Sequence, residues 1–174
     1  MSQGGMVGDR AEQSLEQAIR AIPDPEIPVI TIDDLGIVRE LSVEGDRAVV
    51  TITPTYSGCP AMRAIADAIE VTARRHGVRA EVVTRLAPAW TTDWMSESGK
   101  ESLRRFGIAP PTGTAAHSGR PAGPVPVDLS VRQVRCPHCG SDRTEETSRF
   151  GSTACKALRR CLSCREPFEE FKPI

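Results

Sequence analysis

The stretch IVRELSVEGDRAVVTIT (residues 37–53) decides the fold of the N-terminal part of the chain. Apolar and polar side chains alternate on both sides of the short segment Glu44-Gly45-Asp46. Such alternation around a glycine-containing turn is typical of two antiparallel strands. The sequence therefore predicts a β-hairpin with strands at 37–43 and 47–53.

The segments that flank the hairpin predict helices and one more strand, by their periodicity and their Pro and Gly boundaries. The expected elements are a helix that ends before Pro23, a helix from Pro60 to about His76, a strand at 78–86 and a short amphipathic helix at 96–106. The apolar face expected on the second helix consists of Met62, Ile65, Ile69 and Thr72. This order predicts an α+β fold in which a small mixed three-stranded sheet packs with helices.

Overall composition excludes several classes of protein. The 174 residues include 22 Lys and Arg and 23 Asp and Glu, and the tail at 131–174 has nine basic against six acidic groups, an excess too small to imply a strong nucleic-acid footprint. Seven aromatic residues are too few for a row of base-stacking platforms. Neither a membrane-spanning apolar run nor a secretory signal is recognisable, so we expect a cytoplasmic protein.

Six cysteines are the unusual feature of this composition. Four of them form two Cys-x-x-Cys pairs in the tail, which lets two turns present four thiolates to one ion. The pairs are Cys136-Pro-His-Cys139 and Cys161-Leu-Ser-Cys164. We expect residues 131–174 to form a zinc ribbon in which the metal stabilises the fold, because so short a segment builds little core of its own. A rubredoxin-like iron site for electron transfer would use the same ligands.

Two residues near these pairs have simpler interpretations. His138 lies inside the first pair, but four thiolates already complete a closed site, so a solvent-facing histidine is expected. Cys155 lies outside both pairs and is expected to be a small buried residue, the alternative being a reactive thiol near Lys156 and Arg159.

A stretch rich in Pro and Gly separates the two parts of the chain. It shows no hydrophobic periodicity and cannot bury enough apolar surface to offset the entropy lost on ordering. The predicted organisation is therefore a domain at 9–109, a linker at 110–130 and the four-cysteine ribbon at 131–174.

Cys59 precedes Pro60 at the predicted start of a helix. At the N-cap, free backbone N–H groups and the helix dipole would lower the thiol pKa and favour a nucleophile or soft-metal ligand. The alternative is a small residue that closes a tight turn.

The segment PDPEIP (23–28) carries two carboxylates, and its alternating prolines predict an extended, stiff backbone. Asp24 and Glu26 would either cap turns or, close to Cys59, complete an oxygen and sulfur site that holds iron briefly.

These motifs resemble a known family. PDPEIP (23–28), TIDDLGIV (31–38), TPTYSGCPAM (53–62) and a third strand that leads into PAW (88–90) are similar to the small domain of SufT-type iron–sulfur maturation factors. The segment WTTDWMSESGKESLRRFGIAPP (90–111) and the tail motifs CPHCGS, FGSTACKALRRC and SCREPFEEFKPI resemble the PaaD (PaaJ) family, accessory subunits of the ring 1,2-phenylacetyl-CoA epoxidase of aerobic phenylacetate degradation.

The resemblance implies a non-catalytic accessory role. Proteins of this kind help to assemble or maintain the iron or iron–sulfur cofactors of the oxygenase and reductase subunits, which would be the partners. The resemblance carries the reactive cysteine to Cys59, the acidic motif to Asp24 and Glu26, and the zinc ligands to the four tail cysteines, and a homodimer is expected by the same analogy. The alternative is a zinc-ribbon scaffold that only promotes assembly of the complex; nucleic-acid binding is not expected.

Overall fold

The structure, a computed structural model, describes residues 5–112 and 132–174. The chain forms two compact units. The first unit runs to Trp90 and includes Trp94–Gly99, and the second consists of Thr91–Asp93 and Lys100–Ile174. Within the described ranges, none of the helices has the length and apolar character that crossing a membrane requires.

The first unit contains two long helices and a three-stranded sheet. Its elements are α1 (Gly5–Arg20), β1 (Val38–Glu44), β2 (Arg47–Ile52), α2 (Ala61–Arg75) and β3 (Arg79–Thr84). The strand order is β1-β2-β3, with β1 antiparallel and β3 parallel to β2. This mixed sheet and its helices confirm the predicted α+β fold. A 3-10 turn (Thr92–Trp94) and α3 (Glu97–Phe106) follow in the chain.

The hairpin and α2 build the core of the first unit. Gly45 adopts φ +61° in the turn, a conformation that glycine reaches without steric cost. Ala48, Val50 and Ile52 are buried on β2. The buried face of α2 consists of Ala61, Ile65, Ile69 and Ala73. The expected face was therefore wrong at Met62 and Thr72, which are only partly buried, because the apolar stripe follows a strict four-residue spacing.

The turn at residues 31–36 contacts the segment 94–99 within the first unit. Gly36 has φ +68°, and a Cβ atom there would lie 2.6 Å from the carbonyl oxygen of Trp94. The Asp34 carboxylate accepts hydrogen bonds from Thr31, Ser96 and Ser98. Burial alone would raise the pKa of Asp34, but these donors stabilise the anion and lower the pKa below its ordinary value. The two segments therefore fit together without room for a larger residue at position 36.

The second unit contains a four-stranded sheet in the order β4-β7-β6-β5. The strands are β4 (Ile108–Ala109), β5 (Thr144–Ser148), β6 (Lys156–Cys161) and β7 (Pro167–Phe171). The antiparallel strands β5 to β7 form the expected ribbon. The short strand β4 was not predicted, and it pairs in parallel with β7.

The boundary between the units differs from the predicted domains at 9–109 and 131–174. The end of α3 and β4 lie in the same unit as the ribbon, so the first unit ends at Gly99. The predicted linker begins at 110, and its residues 113–130 lie outside the described residues. Thr112 and Gln133 lie on either side of this stretch, and the Thr112 hydroxyl donates a hydrogen bond to the Gln133 carbonyl at 3.4 Å. Both ends of the stretch therefore belong to one unit.

Charged residues complete the interior of the small second unit. Glu170 is fully buried and pairs with Arg132 and with Arg159, whose guanidinium lies 3.1 Å away. Lys156, also buried, contacts the Glu169 carboxylate at 2.7 Å. Buried charges of this kind require partners, and removing one of them leaves an uncompensated charge.

Candidate functional site

The two Cys-x-x-Cys segments form two similar turns. In the first, Gly140 has φ +73° and donates its N–H to the carbonyl of Cys136 at 2.9 Å. In the second, Arg165 adopts φ +67° and Cys161 donates its N–H to the carbonyl of Glu166 at 3.0 Å. The hydroxyl oxygens of Ser141 and Ser163 lie 2.8 Å apart and join the two turns.

The turns bring four sulfur atoms together. The ligand atoms of Cys136, Cys139, Cys161 and Cys164 all lie within 4.8 Å of one another. The Sγ–Sγ distances are 3.7 Å for Cys136 and Cys164 and 3.6 Å for Cys139 and Cys161. A tetrahedral ion with metal–sulfur bonds of ~2.3 Å requires about 3.8 Å between sulfurs, whereas a disulfide requires ~2.05 Å. The residues therefore fit a four-thiolate metal site.

The thiols of this cluster differ in acidity. The pKa of Cys161 is lowered to about 6, mainly because the backbone N–H of Cys164 points at its sulfur, 3.5 Å away. For Cys164, the N–H of Glu166 opposes the shift, but burial and the neighbouring sulfurs raise the pKa to about 12. Neighbouring thiolates at this separation repel one another, so Cys161 loses its proton more readily than Cys164. A divalent cation relieves the repulsion.

His138 and Cys155 lie outside the four-sulfur cluster, as the sequence predicted. His138 is exposed, and its ring contacts Phe168 edge-on with the ring centres 6.5 Å apart. Cys155 is buried, and its sulfur lies 3.0 Å from the Thr153 hydroxyl. Neither residue joins the group of metal-ligating side chains that the described residues form.

Cys59 lies in the loop before α2 and not at its N-cap. Pro60 occupies the N-cap position with φ −69° and ψ −22°, so the prediction for Cys59 was wrong by one residue. Its half-buried environment desolvates the thiolate and raises the thiol pKa. The N–H of Ala61 and the hydroxyl of Thr55 oppose this shift in part. The pKa of Cys59 is therefore shifted in the opposite direction to the one expected for a helix-capping thiol.

Asp24 and Glu26 belong to a compact loop that lies close to Cys59. The chain bends at residues 25–26 and turns at 28–29 before a backbone bridge joins Pro23 to Thr31, so the expectation of an extended segment was wrong. Asp24 Oδ1 accepts the N–H groups of Glu26 at 2.9 Å and Ile27 at 2.8 Å, a side-chain turn that the alternating prolines concealed. Both carboxylates raise the pKa of the Cys59 thiol through their negative charge.

The Cys59 region and the four-cysteine cluster differ in one respect. Among residues 5–112 and 132–174, Cys59, Asp24 and Glu26 do not form a ready-made set of three metal ligands, whereas the tail cysteines do. Sequence reasoning did not include Thr55, a buried threonine whose hydroxyl bonds the Cys59 sulfur. Its position in TPTYSGC, four residues before the cysteine, was the available signal.

Replacing Glu26 with glutamine is expected to make Cys59 more reactive. Loss of the nearby negative charge lowers the thiol pKa, so alkylation by iodoacetamide at pH 8 becomes about two- to threefold faster. The alkylation rate also begins to rise at a lower pH than in the wild type. Peptide mass spectrometry after timed quenching measures the rate at this residue. Glu44→Gln, a change at the hairpin turn, is the control. Identical pH profiles for the wild type and Glu26→Gln would contradict the electrostatic contact.

Comparison with known proteins identifies the family of this chain. The chain is 51% identical over 154 residues to a protein of Escherichia coli (strain K12) that is provisionally named as a 1,2-phenylacetyl-CoA epoxidase subunit. The match covers 88% of this chain and 87% of that protein. The chain belongs to the PaaD family of phenylacetyl-CoA epoxidase subunits.

Both parts of this PaaD-family chain also match domain families of their own. Residues 121–172 match the PaaD zinc beta ribbon domain, and residues 12–84 match a family described as iron-sulfur cluster assembly protein. The ribbon match contains all four cysteines of the cluster, and the assembly match contains Cys59, Asp24 and Glu26.

Two further relatives resemble the first unit of the chain. An Fe-S protein maturation auxiliary factor of Porphyromonas gingivalis (strain ATCC BAA-308 / W83) is 33% identical over 97 residues, which cover 54% of this chain and 91% of that protein. A crystal structure of a domain of unknown function, DUF59, from Bacillus anthracis superimposes with a TM-score of 0.50 at 27% identity, covering 57% of this chain and 97% of that one. These relationships support an accessory role in iron–sulfur assembly.

Proposed function

We propose that this PaaD-family chain helps to assemble or maintain the iron or iron–sulfur cofactors of the oxygenase and reductase subunits of a phenylacetyl-CoA epoxidase. The observation that carries the proposal is the half-buried Cys59 thiol with two carboxylates close enough to raise its pKa. In this proposal iron is cargo and the chain itself is not the catalyst. The low ligand number at this site suits a step in which iron is bound briefly and passed on.

The acidity of Cys59 explains how such cargo would leave. Iron binds thiolate, so loading at Cys59 displaces the thiol proton. Because burial and the charges of Asp24 and Glu26 raise the thiol pKa, the sulfur regains a proton readily once a client offers stronger ligands. Asp24 is held in place by two backbone N–H groups, which leaves the partly buried Glu26 as the more adjustable carboxylate.

The four tail cysteines have a different role in this proposal. We infer that they hold zinc permanently, because their sulfurs already approximate a closed tetrahedron and the ribbon match is to a zinc-binding family. Zinc has no redox chemistry, so bound there it supplies folding energy and organises the surface of the second unit. We place the protein in the cytoplasm, where its thiols stay reduced, and a homodimer through the first unit remains a prediction.

A cell-based experiment tests the role of Cys59. Cells that lack the parent gene receive the wild-type chain, Cys59→Ser or Cys155→Ser, and the purified oxygenase and reductase are analysed for iron. We expect Cys59→Ser to leave both clients largely without iron, while Cys155→Ser, a change at a buried cysteine outside both sites, restores it. Full iron occupancy with Cys59→Ser would refute the proposal.

A scaffold that only promotes assembly of the complex is the second candidate. The raised pKa of Cys59 favours it, because a thiol of raised pKa forms the nucleophilic and metal-binding thiolate less readily. In this case loss of the chain lowers complex formation, but the isolated oxygenase still contains its full iron. Iron analysis of the isolated oxygenase therefore separates the two candidates.

A further inference from the structure

The segment directly after α3 is an integral part of the ribbon sheet. Gly107 ends the helix with φ +92°, and β4 then pairs in parallel with β7, where Ile108 faces Glu169 and Ala109 faces Glu170. Ile108 and Ala109 are 4% and 1% exposed. The ribbon family match starts at residue 121, so this strand is an addition to the part that the family match covers.

This segment contacts the metal centre at two points. Ala109 belongs to the same buried cluster as the ligands Cys136 and Cys161, together with Val134 and Phe168. Gly107 lies against His138, and a Cβ atom at position 107 would lie 3.2 Å from the imidazole Cε1. His138 sits between the two cysteines of the first turn, so the segment supports that turn directly.

A cavity of about 380 Å³ lies between this segment and the first Cys-x-x-Cys turn. Ala109, Pro110 and Thr112 line one side of it, and Cys136, Pro137 and Gly140 line the other. The segment and the Cys136 ligand therefore line the same cavity, so a displacement of the segment would change the surroundings of that ligand.

We propose that residues 107–112 are a positioning strap of the metal centre, which holds the first Cys-x-x-Cys turn in place and slows the loss of the bound metal. The strap acts through packing and not through ligation, since none of its residues is a metal ligand. This inference rests on the zinc occupancy proposed above. It assigns Gly107 a specific reason to be glycine, because its φ favours glycine and an added Cβ would press against the His138 ring.

The test measures zinc release from the full chain to excess chelator. Gly107→Ala is expected to release zinc about tenfold faster than the wild type, the scale of effect found for residues that support metal ligands. Gly77→Ala is the matched control: its φ is +76°, so it carries the same backbone strain, but no atom lies within 4 Å of the added Cβ and it lies in the first unit. It should release zinc at the wild-type rate.

Combining the change with His138→Ala isolates the contact. Removing the imidazole gives the new Cβ room, so Gly107→Ala/His138→Ala should release zinc more slowly than Gly107→Ala alone. If Gly107→Ala fails to fold, hydrogen exchange on the wild type decides: zinc removal should expose the Ile108 and Ala109 amides and leave those of Ile65 and Ile69 protected.

The experiments distinguish a failure of the proposed zinc occupancy from a failure of the proposed strap. A wild-type chain purified without zinc would refute the proposed cofactor. A zinc-loaded chain in which Gly107→Ala and the wild type release metal equally fast, or in which Gly77→Ala accelerates release as much, would overturn the strap. Unchanged exchange at Ile108 and Ala109 after zinc removal would overturn it as well.

Discussion

Replacing Cys161 with serine is expected to abolish metal binding and to unfold the second unit while the first unit keeps its structure. Cys161 is fully buried, the pKa of its thiol is lowered to about 6, and its sulfur accepts two backbone N–H groups. A serine hydroxyl does not ionise near neutral pH and is a poor zinc ligand. The apparent binding free energy of a structural zinc site is ~10–16 kcal/mol, as large as the stability of a whole domain, ~5–15 kcal/mol.

Zinc content and hydrogen exchange check this expectation together. The variant should contain almost no zinc, and its β5 to β7 amides should exchange rapidly. The emission of the two tryptophans, Trp90 and Trp94, which both lie in the first unit, should be unchanged. Cys155→Ser, at a buried cysteine outside the cluster, should retain zinc and the folded sheet. Stoichiometric zinc and slow exchange in Cys161→Ser would contradict the four-thiolate site.

Replacing Gly36 with alanine is expected to destabilise the first unit by about 2–5 kcal/mol. The residue would have to adopt φ +68°, and its Cβ would lie 2.6 Å from the Trp94 carbonyl oxygen and 2.7 Å from the Trp94 Cβ. The neighbouring atoms belong largely to backbone, so they cannot move aside without displacing the 94–99 segment. That displacement would also break the hydrogen bonds that Ser96 and Ser98 donate to Asp34.

Urea unfolding followed by tryptophan emission measures this loss in the first unit. Gly45→Ala is the matched control because its φ is +61° and no atom lies within 4 Å of the added Cβ. The control should lose only about 1 kcal/mol, the cost of the backbone conformation alone. Equal unfolding midpoints for the two variants would show that the contact with Trp94 does not contribute to the loss of stability.

Short-range patterns predicted the regular elements of the first unit well. The hairpin followed from alternation around Gly45, and both helix boundaries near residues 60 and 76 came within one residue of the structure. The spacing of the four tail cysteines predicted which sulfurs meet, because a two-residue gap leaves a turn little choice of geometry. Local chemistry therefore determined these parts.

Interactions between distant residues explain the predictions that failed. The segment 23–28 looked extended because of its prolines, but hydrogen bonds from Asp24 and a bridge to Thr31 fold it into a loop. The pKa of Cys59 depends on burial and on carboxylates more than thirty residues upstream, which a local helix-cap argument omits. A strand of two residues such as β4 has no periodicity, so only its partner strand β7 identifies it.

The two cysteine sites favour two different roles in metal binding. In the second unit, four sulfurs are already close enough to hold an ion permanently. In the first unit, one thiol of raised pKa lies near two carboxylates and does not form a ready-made ligand set with them. A permanent structural metal and a brief cargo site are what these two arrangements favour.

Anaerobic iron transfer distinguishes a cargo site at Cys59 from a thiol that does not handle iron. The zinc-loaded chain is incubated with one equivalent of ferrous iron, desalted, and mixed with iron-free oxygenase or reductase, and iron in the client is measured over time. We expect the wild type to retain iron beyond its zinc and to load a client faster than free iron does, whereas Cys59→Ser should do neither. Equal loading by the wild type and by Cys59→Ser would refute the cargo role of Cys59.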